Sequence, residues 1–157
     1  MKKEIKDKIK NKVLIVAHPD DEILWFNIEK YTKIIIVFMV LGDGREWLTE
    51  ARKKAVSEHP LKDRLECWGL RESNYWRDPS KLDDHLNNYK IICEKLKDVE
   101  ADEIDTHNSM GEYQHADHIL VHNAVLDTVN CRVNGLDPKV YRKIKDTYVR
   151  NNAWTWY

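Results

Sequence analysis

A single α/β domain with a mostly parallel sheet is the fold this sequence predicts, and three observations predict it. Two short runs, Val13 to Ala17 and Lys33 to Leu41, are aliphatic almost from end to end, the pattern of strands covered on both faces. Each run is closed by a break, Pro19 after the first and Gly42-Asp43-Gly44 after the second. Segments of helical period alternate with the strands, as βαβ units require. The expected arrangement is therefore Rossmann-like, with helices flanking the sheet and a site at the carboxyl ends of the strands.

The elements follow in chain order. Residues 20–30 read as a short helix whose first turn carries Asp20, Asp21 and Glu22, suited to the positive end of a helix dipole. After the second strand, Trp47, Ala51 and Ala55, with Leu48 and Val56, recur at helical spacing and predict an amphipathic helix that Pro60 interrupts. Residues 61–68 are then read as a second helix or a kinked continuation ending at Trp68-Gly69, and 74–76 as a short strand. From Lys81 to Val99, apolar Leu82, Leu86, Tyr89, Ile92, Cys93 and Leu96 give the clearest helical period. A strand is expected at Glu103 to His107, a loop at Asn108 to Gly111, and a helix over 115–129. The whole chain, 1–157, is read as one domain with its core over about 12–129. Residues 130–157 form a polar extension, with edge strands read at Val140-Tyr141 and Thr147 to Val149.

Composition excludes several classes of function. The formal net charge is −1, with both signs interleaved, which offers no field for nucleic acid or an anionic membrane. No run reaches the roughly 18–20 apolar residues of a membrane span, so no membrane insertion is expected. The first residues are lysine-rich and lack the apolar core of a signal peptide. Cys67, Cys93 and Cys131 are odd in number and widely spaced, which suits reduced thiols in a cytoplasmic protein.

Two clusters carry chemistry. Ala17-His18-Pro19-Asp20-Asp21-Glu22 places a histidine and two aspartates directly beyond a buried strand, where a neutral nitrogen and carboxylates suit a divalent metal. His115-Ala116-Asp117-His118, with His122 a turn later, puts three imidazoles on one helix face behind a strand and a loop. Such histidines can equally be surface polar residues, and His122 is read as a surface or outer-layer residue rather than a ligand. His59 and His85 lie outside both clusters and are expected to face solvent. Trp25 and Trp47 are read either as rings for stacking on a substrate or as core. On residue types and spacing alone the expectation is a metal-dependent enzyme, in which three protein ligands leave one coordination position open.

Together the clusters become specific. AHPDDE at 17–22, followed by Thr106-His107-Asn108 and Gly111-Glu112-Tyr113-Gln114-His115-Ala116-Asp117-His118, resembles the zinc-dependent N-acetylglucosamine deacetylases, the LmbE-like and PIG-L-like proteins. The resemblance runs from about Lys12 to Val129. It implies zinc, or another divalent metal such as Fe2+, held by His18, Asp21 and His118. It implies Asp20 as the general base, with His115 and Tyr113 acting at the oxyanion and His115 alternatively as an acid. Asp117 would orient His115 or another histidine, and Arg52 resembles the family's substrate-contacting arginine. The implied substrate is a small-molecule sugar or glycoconjugate that loses its N-acetyl group. Two alternatives stand beside this: hydrolysis of a non-sugar amide conjugate, and a non-catalytic metal- or sugar-binding role.

The sequence departs from the family pattern in having Ala55 three residues after Arg52, where a glutamate is usual. It also has extra residues around Glu58-His59-Pro60 and a short stretch after the second motif. A homo-oligomer completing the pocket is a further expectation.

Overall fold

The computed structural model describes residues 11–137, and five parallel strands carry the architecture. Strand β1 (Lys12–Val16) leads into helix α1 (Asp21–Trp25) and a single 3-10 turn at Ile28–Lys30. Strand β2 (Lys33–Val40) and helix α2 (Glu46–Ser57) follow, then β3 (Leu65–Arg71). The remainder is α3 (Leu82–Leu96), β4 (Glu103–Thr106), the short α4 (Gly111–Gln114), α5 (Ala116–Thr128) and β5 (Arg132–Gly135). The sheet order is β3-β2-β1-β4-β5, so the direction of winding reverses beside β1, between β1 and β4. Open α/β sheets form their ligand crevice at such a reversal. This is the Rossmann-like α/β fold.

The central strands are apolar because both their faces are covered. Val13, Ile15, Ile35, Val37 and Ile104 pack with Ile92 and Leu96 of α3 and Val121, Ala124 and Val125 of α5. Leu14, Val16, Ile34 and Ile36 face the other way, against Ile23, Phe26, Ile28 and Tyr31. Each fully buried aliphatic side chain contributes about 1.5–3 kcal/mol relative to exposure. Helix α2 adds a smaller cluster of Leu48 and Ala55 under Leu41.

Several sequence readings are corrected here. The helix expected over 20–30 is one turn and a half long, and Phe26 turns extended to end it. The segment 61–68 is not helical: a 3-10 turn at Lys62–Arg64 feeds β3, which pairs in parallel with β2 from Ile34↔Leu65 onward. Most of β3 is solvent-accessible, so its residues lack the apolar run that marks β1 and β2. Its strand state comes from the edge of β2, a partner distant in sequence. Residues 74–76 form a turn and not a strand. Helix α3 buries His85, Asn88, Ile92 and Leu96, whereas Leu82 and Leu86 are exposed. Helix α2 likewise turns Leu48, Arg52 and Ala55 inward and leaves Trp47 64% exposed. β5 is an edge strand within the extension, while the edge strands read at 140–141 and 147–149 lie outside the described residues.

Candidate active site

The loop after β1 folds on itself. The His18 carbonyl accepts from the backbone N–H of Asp20 and Asp21, and the Asp20 carbonyl accepts from Ile23 and Leu24 to start α1. Asp21 Oδ2 takes the His18 backbone N–H at 2.8 Å. The turn that makes the loop therefore also buries His18 and Asp21 side by side. Trp25 Nε1 reaches Asp21 Oδ1 at 3.3 Å, so this tryptophan braces a site carboxylate.

His118, in the first turn of α5, completes the arrangement. His18 Nδ1 and His118 Nε2 are 3.2 Å apart, and Asp21 Oδ2 lies 3.3 Å from each. The close N···N approach admits at most one proton between the imidazoles. Burial opposes charge on both rings, but the surrounding carboxylates outweigh it: Glu72 on His18, Asp21 on His118. The result is a carboxylate-walled pocket that attracts positive charge.

The far nitrogen of His18 is held by carboxylates. Nε2 lies 2.9 Å from Glu72 Oε1 and 3.1 Å from Asp117 Oδ2. Glu72 Oε2 in turn accepts from Arg52 Nη1 at 2.8 Å, with Arg52 1% exposed on the inner face of α2. Burial alone would raise the Glu72 pKa, yet the charges of His18 and Arg52 bring it down to about 2. The loops after β2 and β3 meet so closely here that a Cβ at Gly42 would lie 2.1 Å from the Glu72 carbonyl oxygen. Glycine at 42 is what lets Glu72 approach.

Behind β4, His115 ends the loop that precedes α5. Its Nδ1 accepts the Asp117 backbone N–H at 3.1 Å, which leaves the hydrogen on Nε2. Burial first, then the nearby His18 and His118 charges, lower its pKa to about 2. His115 is therefore a neutral donor. Trp76 packs against its ring at 4.6 Å, and Tyr113 meets it edge-on at 5.9 Å. Asp20 is 6% exposed, and burial followed by the adjacent Asp21 carboxylate pushes it up to about 8. A cavity of about 330 Å³ brings together His18, Asp20, Asp21, Arg52, Glu72, Tyr113 and His115, with Arg45, Trp76 and Arg77 among its other walls.

Besides His18, Asp21 and His118, other buried groups among the described residues bring one ligand atom each within 4.8 Å of one another: His18, His115 and His118; Asp21, His107 and His118; and His18, Glu72 and Asp117. Any of these could hold a metal ion. His107 Nε2, however, is engaged by the Ala17 backbone N–H at 2.9 Å.

Some residues lie where the sequence did not put them. His85 is buried, with Nδ1 3.0 Å from Ser73 Oγ and 3.7 Å from Asp117 Oδ1 and its ring stacked on Tyr75. His59 is buried too, Nε2 3.2 Å from Glu22 Oε1. Polar partners brought from distant segments draw both inward. His122 is also buried, with Nδ1 2.6 Å from the His107 carbonyl oxygen. Glu72 has no signal in the sequence, because β3, which leads to it, is not legible as a strand.

Residues 13–129 match the model of the PIG-L family, described as GlcNAc-PI de-N-acetylase. The chain belongs to this family. Its members are described as de-N-acetylases, and the buried His and Asp groups that could bind a metal lie within the matched span. Comparison with curated proteins and with solved structures gave no match. No helix among the described residues is long and apolar enough to cross a membrane.

Proposed function

We propose that this PIG-L family chain is a zinc-dependent hydrolase that removes the N-acetyl group of an N-acetylglucosamine-type sugar or glycoconjugate. The observation that carries the reading is the near-equilateral triangle of His18 Nδ1, Asp21 Oδ2 and His118 Nε2, with sides of 3.2–3.3 Å. Tetrahedral zinc with bonds of about 2.0–2.1 Å separates its ligand atoms by about 3.3–3.4 Å, so the donor set fits zinc in both chemistry and spacing. His18, Asp21 and His118 would hold the ion, leaving a position open toward the cavity. When bound, zinc supplies a water of lowered pKa and polarises the substrate carbonyl.

The remaining work falls to the protein's own side chains. Asp20 borders the same cavity, and a carboxylate tuned toward neutrality is suited both to take a proton and to return it to a departing amine. Neutral His115, with its hydrogen on Nε2, would donate to the oxygen on which negative charge develops, with Tyr113 beside it. Asp117 and Glu72 fix the His18 ring from its far nitrogen, as carboxylates behind metal-bound histidines do. Arg52 and Glu72 offer charged groups to sugar hydroxyls, and the half-exposed rings of Trp76 and Tyr113 offer faces for a pyranose. Free thiols at Cys67, Cys93 and Cys131 support a cytoplasmic setting.

The test is acetate release from a panel of N-acetylglucosaminyl conjugates by zinc-loaded protein, before and after chelation. Release that stops with the chelator and returns with zinc is expected. Turnover confined to acetylated non-sugar amides would transfer the activity to another substrate class, and none at all would sink the reading.

A further inference from the structure

The Glu112 side chain is only 6% exposed beside His107 and His118, yet the chemistry above gives it no task. Its carboxylate lies against two imidazoles at once. Oε1 is 2.6 Å from His107 Nδ1, and Oε2 is 3.5 Å from His118 Nδ1. The two rings are stacked, with centroids 3.9 Å apart and planes 13° apart, so one carboxylate can span both nitrogens. Neither Glu112 Oε2 nor His118 Nδ1 has a hydrogen-bond partner among the described residues.

The tautomers follow from the opposite ring edges. His107 Nε2 accepts the Ala17 backbone N–H, so its hydrogen is on Nδ1. His118 can turn a lone pair on Nε2 toward Asp21 and His18 only if its own hydrogen is also on Nδ1. Two N–H groups thus point at Glu112, one hydrogen-bonded at 2.6 Å and the other 3.5 Å away.

The backbone is bent to bring it there. Glu112 has φ 60° and ψ −65°, a region costly for any residue with a Cβ. Asn108 Oδ1 accepts from the backbone N–H of Met110 and of Glu112, at 3.0 and 3.1 Å, and folds the loop back. A glycine would sit at 112 without strain, so the glutamate is held there at a local cost.

We infer that Glu112 is a positioning residue that fixes the ring and tautomer of His118, through the shared contact with His107, for metal binding; the inference rests on the ligand set proposed above. Glu112→Gln separates this role from simple packing. Glutamine keeps the shape but has one acceptor oxygen, so its NH2 must face an imidazole N–H. Glu112→Gly removes the carboxylate and also the strain. Zinc dissociation constants, measured by competition with a chromophoric chelator, are expected to rise about 10–100-fold in both variants. The visible spectrum of the cobalt-substituted protein should change with them. The metal-free unfolding midpoint of Glu112→Gly should hold or rise.

A zinc affinity of Glu112→Gln within about threefold of the parent, against the 10–100-fold typical of lost outer-layer partners, overturns the inference whatever Glu112→Gly does. So does a Glu112→Gly protein whose loss of affinity tracks a lowered metal-free midpoint. If the parent itself takes up no zinc, the ligand set falls and this role falls with it. If parent and variants bind zinc alike while acetate is released, only the role of Glu112 fails.

Discussion

The loops after β1 and after β4 bring the same kinds of side chain to one cavity by opposite means. The first is self-made: His18, Asp20 and Asp21 are near neighbours, and the bonds that shape the turn are those that orient the aspartate. The second is long and strained, with positive φ at Gly111, Glu112 and Gln114 before α5 can deliver His118. Its shape depends on Asn108 and on a clasp between Glu112 and two histidines. The first loop therefore owes its geometry to six consecutive residues, whereas the second owes it to tertiary closure. A loop of the second kind can be loosened without touching a ligand.

The largest effect should come from the first loop. Asp20→Asn is expected to keep zinc and the fold while lowering kcat by about 10²–10⁴, the range of a lost general base. His18→Ala should lose metal and activity together; zinc retained at full stoichiometry in that variant would break the ligand assignment. In the second loop, Gly111→Ala should destabilise the protein by about 1–3 kcal/mol in urea unfolding, the usual cost of holding a side chain in a disfavoured backbone region. Gly111 has φ +59°, and an added Cβ would lie 2.8 Å from Ile119 Cγ1. An unchanged midpoint would mean that the second loop is as adaptable as the first.

The smallest effect links the loops through a proton. Burial disfavours charge on His118, but Asp21 outweighs it and raises the pKa to about 9, so near neutrality the ring carries a proton that must leave before Nε2 can ligate. Zinc binding should therefore release about one proton at pH 7 and strengthen as pH rises toward 9. Calorimetry in two buffers of different ionisation enthalpy measures this. Release of none would show that His118 is already neutral.

Legibility divided along the same line. β1 and β2 are readable because each is an apolar run next to a turn, whereas β4, Glu103–Thr106, is weak on composition and is marked mainly by the turn-rich loop that follows it. The two histidine motifs were readable because metal chemistry needs few residue types at short spacing. Residues 61–68, which include the first half of β3, carry a helix-like pattern because Leu65–Arg71 is mostly exposed and owes its extended state to hydrogen bonds from β2. With it went Glu72, which reaches the site only because β3 ends there. The helical faces were misjudged for a related reason: α3 turns His85 inward to Ser73 and Asp117 while Leu82 and Leu86 stay wet. Periodicity identifies the helix, but a buried polar partner can rotate the face that packs.

By itself the sequence determined the class of the fold, the family and the chemical character of the two motifs, because strand burial and metal ligation leave local marks. Only the tertiary structure decided which atoms of those motifs converge and which tautomer each ring holds. It alone set the Arg52–Glu72 pair behind His18 and the Glu112 carboxylate behind His118. These depend on contacts between residues separated by a strand or more, or on backbone angles that a residue's type disfavours. No local pattern encodes either.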